Sequence, residues 1–226
     1  MWRYLICVVP TFAFAQVEQG APNADFAPEF VNQTRAPALP TTSIEVSVFA
    51  DDLDRPWGIA TLPGGQFLVT ERSGTMRVVG SDGSVSGPIS GLPQVRDDGQ
   101  GGLLAVAVSP SFGQDRLVFW TYSKPVSGGA VTAAARGQLS SDGKLSDVSD
   151  IFVQTDPNRG GRHFGSRVIP MADGTVWVTT GDRGEGDGGS RSQDLDSTIG
   201  KVIRVAADGS AAAGNPFDGA TSEEIW

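Results

Sequence analysis

One pattern recurs three times after residue 44, and it constrains the fold more than any other feature of this 226-residue chain. Each copy has an apolar strand, a turn rich in Pro, Gly and Asp, a second strand, a variable loop, a third strand and an Asp-Gly turn. The copies span 57–84, 103–144 and 166–210, and the closing turns lie at Asp82-Gly83, Asp142-Gly143 and Asp208-Gly209. Asp-Gly between short apolar runs is typical of β-hairpins. The repeat therefore indicates a series of similar antiparallel units.

The strands within these copies favour an all-β chain. The clearest runs, rich in Val, Phe, Trp and Thr, cover 66–70, 103–108, 116–122 and 175–180. Three or four short strands per repeat are typical of β-propeller blades. A β-sandwich is the alternative, but it requires no repeat. Copies of this length predict about three blades in 44–226, whereas a closed propeller has about 4–8. We therefore expect a partial propeller, the amino-terminal half of a longer protein.

The first residues have the pattern of an export signal. Arg3 precedes a short apolar run that closes on Ala13-Phe14-Ala15, a small-x-small cleavage pattern. The run is too short to span a bilayer, and Pro10 argues against a buried strand, which is the alternative. The sequence predicts a signal peptide at 1–15, a flexible leader at 16–43 and the propeller domain at 44–226. We expect a periplasmic or secreted protein without a membrane span.

Charge and cysteine content exclude several classes of function. The chain has 17 basic and 26 acidic residues, a net charge of −9, which argues against nucleic-acid binding through its bulk surface. Cys7 is the only cysteine, so an internal disulfide and a cysteine-based zinc site are excluded. The acidic loop 182–194 suggests calcium, but Gly184 and Gly186 occupy ligand positions of the EF-hand pattern and its final Glu is missing. We predict no metal ligands in this chain.

His163 and Asp182 are the candidate catalytic pair. His163, the only histidine, lies in a loop just before a predicted strand, and loops between blade strands line the mouth of a propeller. An unperturbed imidazole titrates near about 6.5 and suits a general base at neutral pH. Asp182 follows the predicted strand 175–180, and a carboxylate beside an imidazole orients the ring. The alternatives are a surface histidine without a role and an ordinary turn aspartate.

Gln100 is the candidate cofactor contact. It precedes Gly101 and Gly102 in a sharp loop before the predicted strand 103–108. Its amide offers a donor and an acceptor to a quinone or carboxylate, and the glycines would allow a flat cofactor to approach the backbone. A solvated turn is the alternative. Glu71-Arg72, at a strand end, is interpreted as an ordinary ion pair, although it could line the same mouth.

Eight short motifs, in this order and spacing, resemble the soluble aldose sugar dehydrogenases of the glucose/sorbosone dehydrogenase family, which depend on pyrroloquinoline quinone (PQQ). Each motif is weak alone, but eight in order are specific, and together they cover about 43–226. They are Arg-Pro-Trp-Gly at 55–58, Leu-Val-Thr-Glu-Arg at 68–72, Gln-Gly-Gly-Leu-Leu at 100–104, His-Phe-Gly-Ser-Arg at 163–167, Thr-Gly-Asp-Arg at 180–183, Gly-Lys-Val-Ile-Arg at 200–204, Asp-Gly at 208–209 and Asn-Pro-Phe at 215–217.

The resemblance implies a fold and an activity. The family fold is a six-bladed propeller with PQQ across its top. The histidine that matches His163 takes the hydroxyl proton at the anomeric carbon of an aldose while hydride passes to C5 of PQQ, and it also contacts the cofactor. The aspartate that matches Asp182 orients that imidazole, and the glutamine that matches Gln100 contacts PQQ. The physiological electron acceptor is unknown.

The resemblance also implies what this chain lacks. The family's cofactor calcium and most cations that clamp PQQ are expected downstream of Trp226, so this chain carries the base and its partner without the calcium site. Two other hypotheses stay open: a noncatalytic propeller that binds a ligand or a protein, and a calcium-dependent propeller lactonase. The pairing of His163 with Asp182 favours the oxidoreductase over the noncatalytic propeller. A lactonase would need a set of acidic and Asn metal ligands, which the sequence does not show.

Overall fold

The computed structural model describes residues 42–184, 190–217 and 219–226. The chain divides into two units, Met1–Ser47 and Val48–Trp226. Of the first unit only residues 42–47 are described, and they are exposed without regular secondary structure. The predicted signal peptide and nearly all of the predicted leader lie outside the described residues. No helix within the described ranges is long and apolar enough to cross a membrane.

The described part of the second unit contains three antiparallel sheets, each built from strands that are consecutive in the chain. The first sheet comprises β1 (Pro56–Thr61), β2 (Phe67–Glu71) and β3 (Thr75–Val79). The second comprises β4 (Leu103–Val108), β5 (Leu117–Val126), β6 (Gly129–Leu139) and β7 (Leu145–Val153). The third comprises β8 (Gly165–Pro170), β9 (Thr175–Thr180) and β10 (Val202–Ala206). The helices are single turns: α1 (Phe112–Asp115) and the 3-10 segments Pro63–Gly65 and Ser190–Gln193.

The sheets follow one another as blades do around an axis. The first strand of each sheet contacts the first strand of the next, β1 with β4 and β4 with β8. A sandwich would instead stack two sheets face to face with one core between them. The arrangement confirms the predicted all-β propeller with three blades and excludes the sandwich.

The predicted strands match β2, β4, β5 and β9 closely. The run predicted at 116–122 extends to Val126 because β5 pairs with β6 as far as Gly129. The Asp-Gly turns differ between copies. Asp142-Gly143 joins β6 to the full strand β7, whereas the turns at residues 82–83 and 208–209 lead only to the single bridges Val79–Val85 and Val205–Ala211.

The two larger hydrophobic clusters of the described residues lie between adjacent sheets, and β5 contributes to both. Trp120 and Tyr122 pack in the cluster that contains Leu68 of the first sheet. Phe119, the residue directly before Trp120, packs in the cluster that contains Val178 of the third sheet. Successive side chains of a strand point to opposite faces, so the middle sheet is buried on both sides. The two cores fix the positions of the loops that begin and end the strands.

Candidate active site

Loops at one end of the three sheets bring the predicted site residues together. In antiparallel sheets built in chain order, the first and third strands begin at the end where the second strand finishes. The loop 96–102 precedes β4, the loop 159–164 precedes β8, and residues 181–184 follow β9. We call these three loops the mouth. They carry Gln100, His163 and Asp182, while the Asp-Gly turns of the repeat lie at the opposite end.

His163 and Asp182 form a direct pair. Nδ1 of His163 lies 2.7 Å from Oδ1 of Asp182, and about half of each side chain is exposed, 49% and 46%. The pair forms because β8 and β9 are hydrogen-bonded neighbours, with Gly165 opposite Thr180, so the residues just outside this hairpin meet. His163 has a φ of +53°, which is uncommon for a residue with a side chain and requires support from its surroundings.

The groups around Asp182 favour its ionised form. The pKa of Asp182 is held below its ordinary value by a hydrogen bond from the backbone N–H of Gly184, by His163 and by the charge of Arg162. An ionised carboxylate can only accept, so Nδ1 of His163 carries the proton and donates it. In the neutral imidazole, Nε2 is then the basic nitrogen. Within the described part of the chain no group hydrogen-bonds to Nε2.

Gln100 supports the His163 loop directly. Its Oε1 accepts a hydrogen bond from the backbone N–H of His163 at 2.8 Å, and its own backbone N–H donates to the carbonyl of Gly161 at 2.6 Å. One lone pair of Oε1 is thus used within the protein, and the contact of Gln100 with a ligand stays a prediction. The NH₂ group remains as the donor that Gln100 can offer.

The glycines beside Gln100 also serve the packing of the mouth loops. A side chain on Gly102 would collide with the carbonyl of Arg72, and one on Gly101 would come within 2.7 Å of the carbonyl of Arg96. These glycines let neighbouring backbone segments approach each other. The approach of a flat cofactor to these glycines stays a prediction.

Glu71 and Arg72 do not pair with each other, so that interpretation is also wrong. Glu71 is buried, with 1% of its surface exposed, and it accepts a hydrogen bond from Arg77 at 2.9 Å. Arg72 instead reaches the loop before β4 and pairs with Asp97. Neighbouring residues at a strand end point to opposite sides, and this alternation was the signal in the sequence that could have excluded the pair.

Arg183 is a site component that the sequence did not single out. It is buried, and its guanidinium lies 3.6 Å from the centre of the Phe164 ring. Its Nη2 donates to the carbonyl of Gly160 at 2.8 Å, and its backbone N–H donates to the carbonyl of His163. Arg183 thus stabilises the loop through hydrogen bonds to Gly160 and to His163 itself. A buried arginine directly after a candidate aspartate gave no distinctive sequence signal.

No metal centre is formed by the described residues. Among them no group of three or more His, Cys, Asp or Glu side chains is close enough to hold a metal ion. The acidic loop 182–194 is described only in part, since residues 185–189 lie outside the described ranges.

Comparison with known proteins gives consistent matches over most of the chain. The family model "Glucose / Sorbosone dehydrogenase" matches residues 53–226. The chain is 36% identical over 194 residues to the aldose sugar dehydrogenase YliI of Escherichia coli K12. Its fold resembles the crystal structure of the soluble aldose sugar dehydrogenase of E. coli in the apo-form, with a TM-score of 0.73 at 36% identity. It also resembles the PQQ-bound aldose sugar dehydrogenase of Streptomyces coelicolor, with a TM-score of 0.69 at 30% identity.

The matches cover much of this chain but only part of each relative. They span 84% of this chain and 51% of the E. coli YliI sequence. Both structural matches span 80% of this chain and 52% of the solved chain. The chain thus spans about half the length of the relatives it matches. Since the family model covers residues 53–226, three quarters of the sequence, the chain belongs to the glucose/sorbosone dehydrogenase family.

Proposed function

We propose that the protein is a PQQ-dependent oxidoreductase that oxidises aldose sugars at the anomeric carbon. The observation that carries the proposal is the His163–Asp182 pair, with Nδ1 bonded to an ionised carboxylate at 2.7 Å and the basic Nε2 left for a ligand. The names of the similar proteins support it, since one is an aldose sugar dehydrogenase and another is one in a PQQ-bound form.

The residues of the mouth fit PQQ in chemical type. PQQ is a planar tricarboxylate, which needs cations and hydrogen-bond donors. Arg162 is exposed beside Asp182, and a side chain added at Gly184 would come within 2.6 Å of its Nε. An exposed guanidinium, the NH₂ group of Gln100 and the half-exposed His163 ring thus share the mouth. Gln100 and His163 would contact the cofactor, and PQQ when bound supplies the acceptor for the hydride that leaves the sugar.

The protein's own part of the reaction is a proton transfer. Nε2 of His163 takes the proton of the anomeric hydroxyl as the C1–H bond breaks, which leaves the imidazole positively charged. Asp182 stabilises that charge because it is ionised and already accepts the Nδ1 proton. Gln100 and Arg183 hold the main chain of His163 on both sides. The ring therefore keeps one orientation during the transfer.

The assay that tests this function uses the protein with PQQ and calcium added before the sugar. Calcium is included because the family resemblance implies a cofactor calcium. We expect oxidation of glucose with an artificial electron acceptor only when PQQ is present. The matched control sugar is methyl α-glucopyranoside, which lacks a free anomeric hydroxyl and should not be oxidised. Equal oxidation of both sugars would place the reaction at another carbon, and failure to bind PQQ would favour a noncatalytic propeller.

Export is a further part of the proposal. If residues 1–15 are a signal peptide, the mature protein begins at Gln16, because cleavage follows Ala15 in the small-x-small pattern. Intact-mass measurement of the protein recovered from the periplasm should give an amino terminus at Gln16. Recovery of the uncleaved chain from the cytoplasm would reject export.

A further inference from the structure

We propose that Arg72 is a positioning residue that fixes Gln100 and, through it, the main chain of His163. Arg72 directly follows β2, and its guanidinium lies against the loop before β4. Its Nε donates to the carbonyl of Gly101 at 3.1 Å, and its Nη2 donates to the carbonyl of Gly99. One side chain therefore holds the two carbonyls on either side of Gln100. The expected effect on catalysis rests on the proposed function, whereas the structural effect does not.

The chemistry of the contact requires a guanidinium. Besides the two carbonyls, Nη2 of Arg72 lies 3.2 Å from Oδ1 of Asp97. A planar fork of several N–H donors can reach three acceptors at once, and a lysine ammonium on a flexible stem cannot reproduce that geometry. The main chain of Arg72 is also anchored, since its N–H donates to Arg55 and its carbonyl accepts from Leu103, each at 3.1 Å. The Arg72 side chain therefore extends from a main chain that is itself held by two hydrogen bonds.

The second step leads from Gln100 to His163. Gln100 is bonded to the His163 loop twice, through its N–H to Gly161 and through Oε1 to the N–H of His163. Gly99 packs so closely on Gly161 that a side chain there would collide with its carbonyl. His163 itself has the positive φ of +53°, which its neighbours must maintain. Release of Gln100 would therefore loosen the backbone that aims the imidazole.

The two ends of the loop 96–102, which carries Gln100, are held together without Arg72. Ser123 of β5 accepts a hydrogen bond from the N–H of Gly102 through its Oγ at 2.7 Å, and its carbonyl accepts from the N–H of Arg96 at 2.9 Å. These contacts hold the two ends of the loop. Removing the Arg72 side chain should therefore release the tip that carries Gln100 without unfolding the loop.

The first test measures amide hydrogen exchange by NMR in the protein without cofactor. Arg72→Met should speed exchange of the Gln100 and His163 amides by at least about tenfold, since hydrogen bonds from a charged donor that hold the loop are lost. Arg77→Met is the matched control. Arg77 lies in the same sheet at similar exposure, 24% against 22%, but bonds to Glu71 and Ser86. Arg77→Met should leave the exchange rates of the Gln100 and His163 amides unchanged.

Arg72→Lys keeps the positive charge beside Asp97. It keeps the proposal testable if Arg72→Met fails to fold. It should also speed exchange at His163, because one ammonium cannot bond to both carbonyls. Wild-type exchange at His163 in Arg72→Lys would overturn the proposal, whatever the Met variant does.

The second test measures turnover with PQQ and an aldose. Arg72→Met should lower kcat by about tenfold or more with a small change in KM, since a displaced base slows the chemical step. In a Gln100→Ala background the same substitution should have little further effect, because two residues that act through one contact are not additive. A full effect in that background would overturn the route through the Gln100 side chain. Faster exchange at His163 in a protein that never oxidises aldoses would uphold the positioning role and reject the proposed function.

Discussion

His163→Gln is expected to lower kcat for aldose oxidation by at least about 100-fold, the low end for loss of a general acid–base residue. Glutamine has a similar reach, and its amide oxygen or nitrogen can still hydrogen-bond in the mouth, but it accepts no proton near neutral pH. The measurement is reconstitution with PQQ and calcium, followed by turnover with an artificial acceptor between pH 5 and 9. PQQ should still bind, because the cations and calcium implied by the resemblance supply most of its charge complement.

Asp182→Asn is the matched variant for this experiment. An asparagine oxygen can still accept the Nδ1 proton of His163, while the carboxylate charge that stabilises the protonated ring is lost. Its effect on kcat should therefore be clear but smaller than that of His163→Gln. If His163→Gln turns over aldoses at a near-normal rate, His163 is not the base, and the family analogy should be withdrawn at this position.

The His163–Asp182 contact could be predicted from the sequence because it belongs to one hairpin. The run 175–180 was recognised as a strand, and His163 precedes the neighbouring strand. When two consecutive strands pair antiparallel, the residue before the first and the residue after the second meet at one end. The family resemblance then indicated which two residues of those loops matter. The observed distance of 2.7 Å agrees with both arguments.

The contacts of Gln100 and Arg72 could not be predicted in the same way, because they join different sheets. Gln100 lies in the loop before the second sheet, His163 in the loop before the third, and Arg72 at the end of a strand in the first. Their contacts depend on how the blades pack, which is decided by burial between β5 and both neighbouring sheets. Strand periodicity identifies the faces of a strand but does not give the offset of one blade from the next. For this reason the sequence predicts a ligand contact or a solvated turn at Gln100 and does not predict its contact with His163.

The fourth strand of the repeat shows a similar limit. Only the middle copy continues into a strand of nine residues, β7. The other two copies form single bridges after their Asp-Gly turns. The turn motif is alike in all three copies, so the turn alone did not distinguish them. The segment that follows the turn differs between the first two copies: 85–89 contains Pro88, which has no N–H to donate to a strand ladder, whereas 145–153 contains no proline.

Glu71→Gln is expected to lower the free energy of unfolding by about 2 kcal/mol at pH 7, within the range for a buried hydrogen bond to a charged group. Glu71 is buried at the end of β2. It accepts hydrogen bonds from the Thr75 hydroxyl, from the Asp54 N–H at 2.7 Å and from Arg77 at 2.9 Å. Burial by itself would raise the pKa of Glu71, but these three donors outweigh it and hold the pKa below its ordinary value.

The sign of the pH dependence follows from that shift. Because folding lowers the pKa of Glu71, its ionised form stabilises the folded state fully above the ordinary glutamate pKa of about 4.3 and loses this effect as the pH falls through the folded pKa. The difference in unfolding free energy between the wild type and Glu71→Gln should therefore be widest near pH 7 and narrow toward pH 3. Urea unfolding at several pH values measures it. Glu223→Gln, the same change at an exposed position, should shift the free energy by less than about 0.5 kcal/mol throughout. A difference for Glu71→Gln that stays constant down to pH 3 would mean that the charge of Glu71 does not stabilise the fold.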